Sequence, residues 1–355
     1  MEVKWRSSEY EYDKIILAGD VGGTNANLAL VGVRDGKFTI ILETVSKSAE
    51  INEILEPLKK TLETAVEKSE RLKPELCCIS AAGPVENNYC NLTNCDWSVD
   101  GNKIEKSLGI KTLIINDFLA VSYGILTLDV NDDTQITKIP HADGSIPEPE
   151  KTTKAVMGPG TGLGVSYITY DKGKYIPNSS EGGHAKFAYF DEETKGLKEF
   201  LIEESGKAPG VEPVVSGTGI CNIFEYYKAK KDLKIEGIFE EIDKADNTGK
   251  PYLISINAKK GDEVCGEMMR TFMKMYASYA SSLSLILLPF GGLYLAGGIT
   301  AKEETLLFEN NLFMQYFESC YSPNHEQLLK KIPVYMVKDY SVSIYGAANA
   351  AINLI

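Results

Sequence analysis

The chain has 355 residues, 43% hydrophobic and 25% charged, as expected of a soluble globular protein long enough for two domains with separate cores. The formal net charge of −13 argues against nucleic acid and against anionic membranes as partners, because both reward basic patches, while leaving room for a local anion site. Seven cysteines, an odd number without a C-x-x-C pair, read as reduced and mostly buried thiols of an intracellular protein. Residues 1–14 are polar and offer no apolar core for a signal peptide or anchor, and Asn353-Leu354-Ile355 is not a peroxisomal tripeptide. A cytoplasmic location is therefore expected. The most apolar helical stretch, 276–288, is broken by serines and too short to cross a bilayer.

In chain order, the apolar run 15–18 reads as a buried strand. It breaks at Gly19 and reaches Asp20, then Gly22, Gly23, Thr24 and Asn25, and the apolar run 28–33 reads as a returning strand. The segment is a β-hairpin with a glycine-rich turn. Without side chains at Gly22 and Gly23, backbone N–H groups there can close on an anion, and Thr24 adds a hydroxyl donor. A carboxylate beside a phosphate repels it unless a cation lies between them, so Asp20 points to Mg2+ held directly or through water. An ordinary hairpin turn is the alternative, since Gly-Gly is a common turn pair. Residues 15–45 give three strands. Ile51, Ile54, Leu55, Leu58, Leu62 and Val66 recur at helical spacing and predict an amphipathic helix over 51–68. A buried strand follows at 76–81. The polar segment 91–97 reads as a turn whose Asn and Asp groups cap backbone N–H groups. Residues 113–115 are a short buried strand with Asn116 and Asp117 at its carboxyl end, the edge where α/β sheets place their chemistry. A helix is predicted over 118–126, and Asp117 can also be its N-cap. The segment 129–154 is rich in Asp and Pro and reads as an irregular insertion or loop.

A second glycine-rich device follows at 156–165, V-M-G-P-G-T-G-L-G-V, with glycines at alternate positions, Thr161 at its centre and an apolar strand on each side. Neither loop is a Walker A loop, and neither matches the dinucleotide fingerprint. Two Gly/Thr hairpins in two halves of one chain, the second carrying Gly160, Thr161 and Gly162, point to two jaws on one polyphosphate. Glu181-Gly182-Gly183-His184 holds a carboxylate and an imidazole close together, a pair able to grip vicinal hydroxyls, although a plain loop also accounts for it. Helices are predicted over 197–204, 220–231 and 262–288, the last with Asp262 as its cap and Pro289 as its end. A strand at 293–296 leads to Gly297 and Gly298. Residues 332–337 form a last strand, and the Ala-rich 344–355 a terminal helix.

D-V-G-G-T-N at 20–25, I-I-N-D-F at 114–118, G-P-G-T-G-L-G-V at 158–165, E-G-G-H at 181–184 and L-A-G-G-I at 295–299 occur in this order. Together they resemble the bacterial-type glucokinases, a branch of the sugar kinase, heat-shock protein and actin superfamily, over most of the chain. The resemblance implies an α/β fold of two ribonuclease-H-like (actin-like ATPase) domains around a central cleft. Residues 1–121 with 341–355 would form the first domain, completed by the C-terminal helix, and 122–340 the second. It implies transfer of the γ-phosphoryl group of ATP to the 6-hydroxyl of glucose. Asp117 is then the general base. Asn116, Glu181, His184 and Glu212, four residues before the Ser216-Gly217 pair, hold the sugar. Gly19, Asp20, Gly22, Gly23, Thr24, Asn25, Gly160, Thr161, Gly162, Gly297 and Gly298 serve ATP and Mg2+. The family's T-N-x-x-W segment, near the sugar, falls at 93–97. Many members are homodimers, so a homodimer is expected. No cysteine cluster of the superfamily's zinc branch follows His184, so no structural zinc is expected. One departure stands out: the first motif usually runs D-x-G-G-T-N-x-R, and Asn27 replaces the arginine, which leaves the phosphoryl donor open. A kinase for another hexose is an alternative. So is an actin-like or chaperone-like ATPase, which shares the glycine loops but has no need of Asn116, Glu181, His184 and Glu212 together. Against a sugar sensor without catalysis stands Asp117.

Overall fold

The structure is a computed structural model and describes every residue except Asn94. Its chain divides into two compact units, Met1–Asp132 with Asp339–Ile355, and Asp133–Lys338. Among the described residues no helix is long and apolar enough to cross a membrane.

The first unit is built on β1 (Glu2–Trp5), β2 (Lys14–Val21), β3 (Asn25–Arg34), β4 (Lys37–Lys47), β5 (Leu76–Ala81) and β9 (Lys111–Asn116), in the order β1-β4-β3-β2-β5-β9. The first four strands pair antiparallel, and β2, β5 and β9 run parallel. The strands carry apolar residues on both faces, so both faces must be covered. On one face Ile16, Ala18, Ala29, Val31, Cys78 and Ile115 pack with α3 (Asp117–Ile125) and the C-terminal helix Val342–Leu354. On the other, Leu17, Leu28, Cys77, Ile79 and Ile114 pack with α1 (Leu55–Lys68) and α2 (Gly101–Leu108). A small sheet of β6 (Val85–Glu86), β7 (Tyr89–Asn91) and β8 (Ser98–Asp100) stands beside β9. Asn88, in the left-handed turn between β6 and β7, pairs with the free edge of β9: its Oδ1 accepts from the Ile114 N–H at 2.7 Å and its Nδ2 donates to the Thr112 carbonyl at 2.9 Å. That closes an edge that would otherwise be open to another strand.

The second unit repeats the plan with β10 (Ile136–Ile139), β11 (Lys154–Pro159), β12 (Leu163–Asp171), β13 (Lys174–Ser180), β14 (Leu293–Leu295) and β15 (Val334–Val337), ordered β13-β12-β11-β14-β15-β10. Here three antiparallel strands are followed by two parallel ones, and β10 closes the sheet antiparallel to β15. The helix Glu263–Leu287 buries Met268, Met269, Phe272, Met273 and Tyr276 in the core of this unit. Asp262 caps it, accepting from the Cys265 N–H at 2.8 Å, and Leu288 ends it in the left-handed region before Pro289. Further helices include α4 (Glu192–Ser205) and α5 (Gly217–Lys230).

Several elements differ from the sequence expectation. The polar residues near the start form the edge strand β1, held by the backbone ladder to β4 rather than by an apolar face. The segment 129–154 is not wholly irregular: Ile136 and Ile139 are buried and β10 pairs with β15. The predicted helix over 51–68 starts only at Leu55. A domain boundary at 121/122 would cut α3, which runs on to Ile125 against the C-terminal helix. The first unit accordingly extends to Asp132 and resumes at Asp339.

The α3 contact is close. A Cβ on Gly346 would lie 1.8 Å from the Ala120 carbonyl oxygen, and one on Gly124 would lie 2.0 Å from that of Val342. Ala347, Ala348, Ala350 and Ala351 complete the small-residue face and are fully buried. Gly346→Ala is therefore expected to destabilise by an amount at or above the upper end of the roughly 1–3 kcal/mol typical of overpacking. A urea unfolding midpoint unchanged from wild type would show that the helices do not cross at this point.

Candidate active site

In the first unit the carboxyl ends of β2, β5 and β9 meet. β2 does not stop at Gly19 but continues through Asp20 to Val21. Gly19 is buried, and a Cβ there would sit 3.0 Å from Leu28 Cδ2 and 3.3 Å from Ile79. Strand packing thus requires a glycine here. Asp20 stands opposite Asn27 on β3 and Ser80 on β5, so the three side chains share one face. The Ser80 hydroxyl donates to Asp20 Oδ1 at 2.9 Å, and the Ser343 hydroxyl, from the C-terminal helix, donates to Oδ2 at 2.7 Å.

The turn proper is Gly22–Gly23–Thr24. The Gly22 N–H donates to the Asn25 carbonyl at 2.9 Å, so it is not available to an anion as the sequence suggested. Among the described residues the N–H groups of Gly23 and Thr24 make no hydrogen bond, and they are the free donors. A Cβ on Gly22 would meet only the Asn25 carbonyl, at 3.9 Å, so internal packing does not require this glycine. Thr24 and Asn25 are exposed. Ser48 braces the turn, its hydroxyl donating to the Gly22 carbonyl at 2.7 Å and its N–H to that of Thr24 at 2.9 Å. Trp97 Nε1 donates to the Ser48 carbonyl at 3.2 Å, and Cys95 Sγ lies 3.6 Å from the Gly23 carbonyl oxygen. The 93–97 segment thus buttresses the glycine turn, while Asn94, its second residue, lies outside the described residues.

Asn116, not Asp117, is the N-cap of α3. Its Oδ1 accepts from the N–H groups of Phe118 at 3.0 Å and Leu119 at 3.2 Å. Only its amide N–H groups remain to meet a ligand, one of them directed at the Gly83 carbonyl at 3.4 Å. Asp117 occupies the first helical position and accepts from the Phe118 N–H at 2.9 Å. Burial, and next the negative charge of Asp20, push its carboxyl up to about 6.

In the second unit the turn between β11 and β12 is built alike. The Gly160 N–H donates to the Gly162 carbonyl at 2.8 Å, while those of Thr161 and Gly162 have no partner among the described residues. No atom lies within 4 Å of a Cβ built on Gly160. Glu212 ties this turn to the 181–184 segment. Its Oε2 accepts from the Leu163 N–H at 2.9 Å, and its own N–H donates to the Gly183 carbonyl at 2.9 Å. Gly162 and Gly183 are glycines for this reason: a Cβ would meet Glu212 Oε2 at 2.4 Å in the first case and the Leu163 carbonyl oxygen at 2.1 Å in the second. Glu181 and His184 are exposed and face each other, Oε2 to Nε2, at 3.7 Å. Gly297, at φ +87°, backs the turn, since a Cβ there would meet the Pro159 carbonyl oxygen at 2.7 Å. Gly298 has open space at its Cβ position.

The structure therefore gathers Asp20, Gly22–Asn25, Asn116 and Asp117 in the first unit. In the second it joins Gly160–Gly162, Glu212 and Gly183 with Glu181 and His184 alongside. Sequence reasoning missed Ser80, Ser343 and Ser48. Ser80 carried a weak signal, a hydroxyl at the end of a buried strand; Ser343, 323 residues from Asp20, carried none.

The glucokinase family model matches residues 17–354. The chain belongs to the glucokinase family. A glucokinase of Nostoc punctiforme is 33% identical, over 96% of this chain and 99% of its own. Among solved structures, the glucokinase of an Antarctic psychrotroph is 28% identical and superposes with a TM-score of 0.79, covering 96% of this chain and 99% of that one. A ROK-family glucokinase of Streptomyces griseus in complex with glucose and AMPPNP shares the fold at 18% identity, with a TM-score of 0.62 over 96% of this chain and 99% of that one. The fold is that of the actin-like ATPase sugar kinases, and the enzyme is an ATP-dependent hexose kinase of the glucokinase family.

A base with its carboxyl near 6 must lose its proton before it can accept another. Because the shift is upward, the carboxylate becomes protonated at a higher pH than an ordinary aspartate. The kcat/KM of this glucokinase-family enzyme is expected to fall about tenfold per pH unit below pH 6. A profile flat down to pH 4.5 would show that Asp117 is not the titrating base.

Proposed function

We propose that the protein transfers the γ-phosphoryl group of ATP to the 6-hydroxyl of glucose, giving glucose 6-phosphate, the entry step of glycolysis. The observation that carries this reading is Asp117, held at a strand end on the same sheet as a glycine turn with two free N–H groups. A primary alcohol is a poor nucleophile, and its proton must leave as the new P–O bond forms. A carboxylate titrating near 6 is mostly ionised at neutral pH and still basic enough to take that proton. Phosphoryl transfer depends on alignment and charge neutralisation rather than on covalent help. The N–H groups of Gly23 and Thr24, and those of Thr161 and Gly162, donate to phosphate oxygens. Gly297 and Gly298 back the adenosine. The Asn116 amide donates to the sugar. Glu212, with one oxygen already on Leu163, offers Oε1 to a ring hydroxyl, and Glu181 and His184 hold neighbouring ones. The solved complex of the Streptomyces griseus protein with glucose and AMPPNP supports a pairing of these two ligand classes on the fold.

The residues present also fit Mg2+. Each Asp20 oxygen takes one hydroxyl donor and keeps a further lone pair. A single carboxylate with free lone pairs suits an ion brought in with the nucleotide and met directly or through water. Bound there, Mg2+ supplies neutralisation of phosphate charge. A cytoplasmic homodimer is the state we assign to the enzyme, on the family resemblance and the acidic composition.

The experiment is Asp117→Asn in a coupled glucose 6-phosphate assay run with several hexoses. The expected loss in kcat is roughly 10²–10⁴-fold with glucose affinity held within a few-fold. A variant that keeps near-normal kcat would reduce Asp117 to a first-turn residue of α3.

A further inference from the structure

We infer that Ser80 and Ser343 are positioning residues for Asp20, fixing its carboxylate plane so that its remaining lone pairs meet the hydrated Mg2+ of the incoming nucleotide. The inference rests on the reading of Asp20 as the metal-side carboxylate. Its ground is geometric. Two hydroxyls approach two different oxygens of one carboxylate, at 2.9 and 2.7 Å, and they come from two different elements. Ser80 is set by strand register, directly opposite Asp20 on the parallel neighbour. Ser343 is set by the first turn of the C-terminal helix. Ser80 is fully buried and Ser343 is 9% exposed, so water competes little for either bond. With both oxygens held, the carboxylate can no longer rotate about its Cβ–Cγ bond.

The chemistry of the donors matters as much as their placement. A lysine or arginine here would form an ion pair and compete with a cation for the carboxylate. Serine hydroxyls orient the group without neutralising it. Asn27, the third side chain of the row, is uncharged as well. If the two serines served only to pin the C-terminal helix to the sheet, a carboxylate would be an unnecessary partner, since the desolvation of its charge opposes the packing.

The test measures binding of a non-hydrolysable ATP analogue by calorimetry, with and without Mg2+, and the Mn2+ affinity of the enzyme–analogue complex by electron paramagnetic resonance. Ser343→Ala and Ser80→Ala are each expected to lose roughly 10-fold or more of the metal-dependent affinity, as for removal of a hydrogen bond to a charged group. Metal-free analogue binding and glucose affinity are expected to stay unchanged, which shows that the variants fold. Ser343→Thr, which keeps the hydroxyl, is expected to restore the metal-dependent gain. Asp20→Ala separates the two layers of the argument. If it leaves the metal-dependent gain intact, the reading of Asp20 fails and takes the inference with it. If it abolishes the gain while both serine-to-alanine variants keep it, the positioning inference alone is overturned.

Discussion

The half of the site in the first unit depends on one backbone contact, the crossing of α3 and the C-terminal helix at Gly124 and Gly346. With 1.8 Å between the Ala120 carbonyl oxygen and a hypothetical Cβ on Gly346, the helices touch main chain to main chain. Such a contact has no flexible side chain to absorb a shift. Asp117 precedes Ala120 by about one helical turn, and Ser343 precedes Gly346 by the same spacing. One contact therefore fixes the height of Asp117 on one helix and, on the other, of Ser343, whose hydroxyl donates to Asp20. The Asn349 amide, donating to the Tyr123 carbonyl at 2.9 Å, locks the same pair further along.

The electrostatics follow from that placement. Two carboxylates stand at the ends of neighbouring parts of one sheet, and the charge of Asp20 reaches Asp117 strongly enough to raise it, second only to burial. Hydrogen bonds to the ionised form, from the Phe118 N–H among others, work in the opposite direction and limit the rise. The result is a carboxyl poised between an ordinary aspartate and one raised by burial alone. Asn116 shares in this by capping the helix. With Asn116 as the cap, Asp117 accepts from the Phe118 N–H through Oδ1, and its Oδ2 is left out of the helix end. The cap, Asn116, and the carboxyl with the raised titration, Asp117, are adjacent residues.

Much of the core fold was legible because its cause is local. Apolar runs at 15–18, 28–33 and 76–81 gave strands, and 3.6-residue periodicity with Asp262 and Pro289 gave the long helix. β10 was not legible: Ile136 and Ile139 are three apart, a spacing without strand alternation, and only the partner β15, about 200 residues on, makes it a strand. The glycines were legible as turns but not by role. Gly19 and Gly162 look alike in sequence, yet one makes room for Leu28 and Ile79 and the other for Glu212. Glu212 itself came only from a family spacing, since nothing in its neighbourhood shows that it reaches Leu163. Ser343 was beyond any local reading, because its partner is at the other end of the chain.

The two glycine turns are unlike in sequence and alike in structure. G-G-T-N and G-T-G-L share little, and their braces differ: Ser48 with Trp97 for the first, Glu212 for the second. Yet each is the first hairpin of a sheet with the same strand order, β4-β3-β2-β5-β9 and β13-β12-β11-β14-β15. In each, the first glycine N–H turns inward to close the hairpin at 2.8–2.9 Å, and the next two N–H groups stay free. The free amides recur although the side chains around the two turns differ. The donors are thus placed by topology, and selection on sequence needs only to keep the turn narrow and its outer face clear, which glycine at Gly22 and Gly160 does.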